Sequence, residues 1–215
     1  MSRRSPAGSE PVSEAAARRL SIYLRGLQQL EADGLRTISS HDFARRFHLN
    51  SAQIRKDLAM FGEFGIRGVG YDVASLRNHL AGLLGIDEEK NVILCGAGNL
   101  GQALAGYGGF NSAGFRVVAL FDVDPAKIGT SLRGGLPVLE SAAMPAFLVK
   151  TRVDIGVIAV PAESAQKTTD ALVAGGVRAI LNFAPVRLRA PERIFVKNVD
   201  LKIQLETLSF YLRNS

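Results

Sequence analysis

One hexapeptide constrains this 215-residue chain more than any other segment: Gly96-Ala97-Gly98-Asn99-Leu100-Gly101, which follows the apolar run NVILC and opens a helical pattern. A GxGxxG sequence in isolation is a weak signal, but between a strand and a helix it has a mechanical meaning. Gly96 allows a tight turn, Gly98 lets the backbone approach a pyrophosphate, and Gly101 lets helix and strand pack closely, while the helix N-terminus offers free N–H groups to the anion. At the end of the next apolar run, about 20 positions further on, stands Asp122, where an acidic side chain can accept hydrogen bonds from a ribose diol and repel a 2′-phosphate. The spacing therefore predicts NAD(H) in preference to NADP(H). The bland alternative is a glycine turn in an α/β domain with no bound nucleotide.

From Asn91 onward, apolar strands alternate with helical stretches: NVILC, RVVALFD, a shorter unit around LPVL, then DIGVIAV, VRAILNF and IFVKNV. Continuous Val/Ile/Leu runs of this kind belong to parallel strands buried on both faces, and their alternation with helices predicts a Rossmann-type, doubly wound parallel sheet. The final segment, DLKIQLETLSFYLRNS, puts Leu201, Leu205, Leu208 and Leu212 on one stripe, with Ile203, Phe210 and Tyr211 on other sides. A helix apolar on several faces needs burial on several sides.

The first 86 residues have a different rhythm. Residues 1–12 show no apolar periodicity and read as a disordered tail. From Ser13 the positions Leu20, Tyr23, Leu24, Leu27 and Leu30 make one helical stripe over about 13–33. Ser39 with Asp42 resembles an N-cap pair for a short helix, and Asn50 or Ser51 can cap a second, with Ile54, Leu58 and Phe61 inward and an end at Gly62. Two short helices joined tightly predict a helix-turn-helix, and the glycines at 62, 65, 68 and 70 suit the hairpin of a winged helix. A connecting helix through Val73, Leu76, Leu80 and Leu83 leads to the polar run DEEK, the expected domain seam. The predicted domains are 13–86, a winged helix, and 87–199, the nucleotide-binding sheet, with 200–215 as a C-terminal helix.

Charge agrees with this division. The formal net charge is +6, and residues 1–85 hold 12 Lys/Arg against 8 Asp/Glu. A basic N-terminal half points weakly to nucleic acid, or else to an ordinary solvated surface. Within the second short helix, Ser51, Gln53, Arg55 and Lys56 lie off the apolar face and so are available to base edges or phosphates of double-stranded DNA, and Arg67 in the hairpin can reach a minor groove. An exposed Arg-Lys pair is by itself an ordinary solvated helix face.

Other function classes are disfavoured. All three histidines precede residue 80, so the nucleotide half lacks the proton donor of a hydroxyacid or alcohol dehydrogenase, and no zinc constellation can be assembled. A single cysteine, Cys95, makes no internal disulfide and reads as a core thiol. No apolar run reaches the roughly 18 to 20 residues of a membrane-spanning helix, and no secretory h-region is present, so a cytoplasmic protein without a membrane partner is expected. A small NAD-dependent oxidoreductase with an accessory basic domain, or a coenzyme A-binding protein, are the alternatives.

Taken together, RKDLAMFGEFG at 55–65, GVGYDV at 68–73, GAGNLG at 96–101, FDVDPAKIG at 121–129, AVPAESAQ at 159–166, ILNFAP at 180–185 and NVD at 198–200 resemble the Rex family of NADH-responsive transcriptional repressors of bacteria. The resemblance runs from about Ala15 to Leu212. It implies no catalysis, and a homodimer whose winged helices bind a palindromic operator and whose C-terminal helix is domain-swapped between the partner's domains. It also implies release of DNA when NADH binds, with NAD+ as a competing ligand that does not release. By this resemblance Arg55, Lys56 and Arg67 fall on DNA-contacting positions. The turn residues Gly96, Ala97, Gly98, Asn99, Leu100 and Gly101, with Asp122, Val123, Val160, Pro161, Asn182, Ala184 and Pro185, fall on the cofactor site. Arg25, Tyr107 and Asp200 match the sensing residues: Asp200 of one subunit pairs with Arg25 in the DNA-competent state and turns to Tyr107 when NADH is bound. Where some members carry an aromatic residue directly after that aspartate, this chain has Leu201.

Overall fold

A computed structural model describes residues 12–66 and 68–214. The expected tail, apart from Val12, and the wing residue Arg67 lie outside the described residues. The chain divides into two compact units, one ending at Asp87 and the other beginning at Glu88.

The first unit opens with α1 (Glu14–Ala32), capped by Ser13, whose hydroxyl accepts the Ala16 N–H at 3.2 Å. A short strand β1 (Thr37–Ile38) follows, then α2 (Ser40–Phe47) and α3 (Ser51–Ala59). Ser39 caps α2 and Asn50 caps α3, each through a hydrogen bond from the N–H three residues on. Between the two helices His48 takes a left-handed conformation, with φ at 53°, and the Leu49 N–H returns to the Ala44 carbonyl. That reversal makes the connection tight. Strands β2 (Gly65–Ile66) and β3 (Gly70–Asp72) form the hairpin, β3 pairs with β1 as well, and α4 (Val73–Leu83) begins at the Asp72 cap. Leu20, Leu27, Leu30, Phe43, Ile54, Leu58, Leu76 and Leu80 meet in one core. Helix α3 stops at Ala59 and not at Gly62, because Met60 and Phe61 turn back with tight bonds to Asp57 and Leu58 carbonyls.

The second unit comprises β4 (Lys90–Cys95), α5 (Asn99–Ala105), α6 (Gly108–Ser112), β5 (Phe115–Asp122), β6 (Ser131–Leu132), β7 (Leu136–Glu140), α7 (Met144–Lys150), β8 (Ile155–Ile158), α8 (Ala162–Ala174), β9 (Ala179–Asn182), β10 (Phe195–Asn198) and α9 (Leu201–Asn214). Its sheet order is β10-β9-β8-β4-β5-β7-β6, parallel throughout except for the antiparallel β6–β7 pair. Alternate residues of the central strands feed two cores: Ile93, Cys95, Phe121 and Ile158 lie in one, Val92, Leu94, Leu120 and Val157 in the other. The run IFVKNV departs from the expectation of burial on both faces. As β10 it is the edge strand, and its Phe195 side chain is exposed. Strand order builds outward from β4 through β5 to β7, then returns to place β8 on the other side of β4. That reversal opens a crevice at the carboxyl ends of β4 and β8, where ligands of open α/β sheets bind.

Candidate nucleotide crevice and recognition helix

The glycine turn sits at this crevice. Gly96 leaves β4 with φ at 104°, and a Cβ there would collide with the Ala159 carbonyl, so a side chain is excluded by both conformation and space. A Cβ on Gly101 would strike the Gly96 carbonyl, which is the price of packing α5 against the turn. Gly98 is different. A Cβ there would meet nothing within 4 Å, so no part of the chain requires its small size. Helix α5 begins at this residue without a side-chain cap, leaving first-turn N–H groups for an anion. An open glycine beside an uncapped helix start fits a pyrophosphate.

A cavity of about 870 Å³ brings Gly96, Gly98, Asn99, Leu100, Asp122, Val123, Val160 and Pro161 together. It also collects residues that sequence reasoning did not single out: Asp124, Lys127, Glu140, Ser164, Lys167 and Thr168. Lys127 stands three residues beyond Asp124 in FDVDPAKIG, in the turn that follows β5, and that acid–base spacing was the available signal. Asp122 itself is nearly buried, 9% exposed. Its Oδ2 accepts the Ala97 N–H at 2.6 Å, and its Oδ1 accepts those of Val123 and Asp124, both at 2.8 Å. Burial pushes this carboxyl up, but the backbone N–H groups of Asp124 and Ala97, the charge of Lys127 and the N–H of Val123 outweigh it and hold it below the usual carboxylate range. Asp122 thus ties the tip of β5 to the glycine turn.

The residues ILNFAP are arranged otherwise. Asn182 is fully buried, donating to the carbonyls of Ala184 and Val186 and to Asn198 Oδ1 while accepting the Ala184 N–H. It braces the loop after β9. Ala184 is buried and Pro185 exposed, and neither these nor Asn182 line the cavity. Cys95 is buried in β4, with its thiol pushed up to about 12 by burial alone.

On α3 the side chains of Arg55 and Lys56 are exposed and those of Ser51 and Gln53 half-buried. Arg55 Nη1 donates to Ser40 Oγ at 3.0 Å, which sets the guanidinium against the start of α2. Gln53 Nε2 donates to Asp57 Oδ1 at 2.7 Å. Asp57 is the residue whose role the sequence reading missed. It is 1% exposed and also accepts from Tyr23 Oη at 2.8 Å and from the Arg19 guanidinium. A carboxylate in phase with Ile54 and Leu58 on the inward stripe was the clue that a partner had to exist.

Of the three sensing candidates, Arg25 is exposed on α1. Tyr107 lies between α5 and α6, not within a helix, 59% exposed and edge-on to Phe110, with ring centroids 5.2 Å apart. Asp200 Oδ1 accepts the Lys202 and Ile203 N–H groups and so caps α9. Tyr107 and Asp200 share no hydrogen bond among the described residues. Seven large apolar side chains of α9, from Leu201 to Leu212, are each more than half exposed.

Comparison with known proteins decides the family. Residues 87–186 match the family described as "CoA binding domain" and residues 11–59 that described as "Putative DNA-binding protein N-terminus". The chain is 48% identical to the redox-sensing transcriptional repressor Rex of Pelotomaculum thermopropionicum over 94% of each chain. The chain belongs to the Rex family. Among solved structures it is similar to RSP, a Rex-family repressor, in complex with NAD+ and operator DNA, at TM-score 0.91 and 38% identity over 96% of this chain and 94% of that one. It is similar also to RSP in complex with NADH, at TM-score 0.85 and 37% identity over 96% of each. The Rex relatives are named as repressors, not as enzymes.

Proposed function

We propose that this protein represses transcription by binding a palindromic operator in double-stranded DNA as a homodimer in the cytoplasm, and that NADH bound in the crevice releases it. The observation that carries the reading is one chain holding both a helix-turn-helix with an exposed Arg55–Lys56 pair and an open glycine turn suited to a pyrophosphate. Support for the ligands comes from RSP, which has been seen with NAD+ and operator DNA and with NADH.

The exposed apolar face of α9 supports the dimer, since burying each such side chain stabilises by about 1.5 to 3 kcal/mol and a second copy supplies the needed cover. Arg55, Lys56, Gln53, Ser51 and Arg67 contact DNA. Gly98, the α5 start and the nearby turn residues hold the pyrophosphate, and Val160, Pro161 and the 182–185 loop lie toward the nicotinamide half. Asp200 exchanges Arg25 for Tyr107 on binding of NADH.

Ligand displaces DNA only by preferring the DNA-incompetent arrangement, and moving a two-state population from nearly all one form to nearly all the other takes about 5.5 kcal/mol of differential affinity. Reduced nicotinamide is uncharged whereas the oxidised ring is a cation, so a pocket that would desolvate a charge selects NADH over NAD+. The test is a mobility-shift assay with a palindromic operator, in which NADH weakens the complex and NAD+ at the same concentration does not. Coenzyme A is the second reading, favoured by the family match over residues 87–186. Displacement of bound NADH by coenzyme A at equal concentration is the result that would support it.

A further inference from the structure

The acidic residue at the end of the second strand of a dinucleotide fold is the usual reader of the adenosine ribose. Here that residue, Asp122, has little left to offer. A carboxylate presents about four lone-pair directions. Three are taken by the backbone N–H groups of Ala97, Val123 and Asp124, and the Lys127 ammonium faces Oδ2 at 3.6 Å. Its remaining exposure is slight.

Two residues further on, the polar groups are open. Asp124 uses Oδ1 to accept the Ala126 N–H at 3.0 Å, and its Oδ2 lies 3.2 Å from Lys127 Nζ. Both side chains remain partly exposed and both line the crevice, next to Val123, which is 80% exposed and offers an apolar surface. Taking the crevice as the dinucleotide site, as argued above, we propose that the Asp124–Lys127 pair, and not Asp122, determines which ribose is accepted.

Lys127 supplies the donor for a ribose hydroxyl. Asp124 offsets the ammonium charge and sets a carboxylate where a 2′-phosphate would otherwise find a lysine. With Asp124 neutralised, Lys127 keeps Asp122 as its ion-pair partner among the described residues, at the longer distance, and becomes a phosphate ligand. Asp122 is a positioning residue that fixes the glycine turn.

The experiment is calorimetric titration of the full chain with NADH and with NADPH, for wild type, Asp124→Asn and the double variant Asp124→Asn/Lys127→Met. Asp124→Asn should raise the affinity for NADPH relative to NADH at least tenfold, and the added Lys127→Met should abolish that gain. A ratio within twofold of wild type in Asp124→Asn overturns the inference, as does a gain that survives loss of the lysine. Asp122→Asn, checked for folding by circular dichroism, should leave the ratio where it is; a folded Asp122→Asn that alone shifts it tenfold also overturns the inference. If wild type binds NADH but Asp124→Asn changes nothing, only the assignment of this pair fails. If wild type binds neither dinucleotide, the reading of the crevice fails with it.

Discussion

Arg19 holds Asp57 with two hydrogen bonds, Nε at 2.5 Å and Nη2 at 2.8 Å, and so ties α1 to α3 across 38 residues of chain. Tyr23, one turn along from Arg19, adds its hydroxyl at 2.8 Å. The orientation of α3, and with it Gln53, is therefore coupled to the helix that also carries Arg25.

Asp57 makes the first prediction. Burial pushes its carboxyl up, but the hydrogen bonds from Arg19, Tyr23 and Gln53 outweigh burial and hold it below the usual range. A carboxylate whose folded pKa lies below its unfolded value of about 4 contributes stability that is complete above that value and is lost as pH falls through the folded one. Asp57→Asn should cost about 2 kcal/mol. In urea unfolding followed by circular dichroism, the gap from wild type should be constant between about pH 5 and 8 and close below about pH 4. A gap that narrows as pH rises through the neutral range contradicts the assignment.

Arg55→Ala should weaken operator binding by about 1 to 3 kcal/mol and leave NADH affinity unchanged. Ser40→Ala, which only removes the hydroxyl that accepts from Arg55, should cost less. Fluorescence anisotropy with a labelled operator measures the first quantity and calorimetry the second; loss of both in Arg55→Ala would mean that the sites are not separable.

Gly98 and Gly101 separate packing from ligand approach. Gly98→Ala finds open space and an ordinary extended backbone, so its melting temperature should match wild type while NADH affinity falls at least tenfold. Gly101→Ala collides with the Gly96 carbonyl and should destabilise the second unit itself. A Gly98→Ala variant that binds NADH as tightly as wild type would show that nothing approaches that backbone.

Asp200→Ala should uncouple the two activities: operator and NADH each still bind, but NADH no longer changes operator affinity. Loss of the α9 cap should cost about 1 kcal/mol, visible as a small shift in melting. An unaltered NADH response counts against a switching role for Asp200.

Much of this molecule was readable from residue spacing. The strand-turn-helix context of Gly96, Gly98 and Gly101 placed the crevice, and Ser39 and the Asn50–Ser51 pair marked the starts of α2 and α3 because capping is a local interaction, with Asn50 the cap of α3 in the structure. What escaped the reading depends on contacts distant in sequence. Asp57 finds Arg19 38 residues away, Asn182 finds Asn198 16 residues away, and β10 is exposed because topology puts it at the sheet edge. Asp122 was recognised as an important acid, but its saturation by backbone N–H groups follows from how β5 ends against the turn, which spacing does not encode.

The most direct test of the central claim is the dissociation constant of the full-length protein for a palindromic operator, measured by anisotropy across a titration of NADH and a parallel titration of NAD+. The account predicts that saturating NADH weakens the complex at least tenfold while NAD+ leaves it intact. An operator affinity that stays constant while calorimetry shows the same protein saturated with NADH would contradict it.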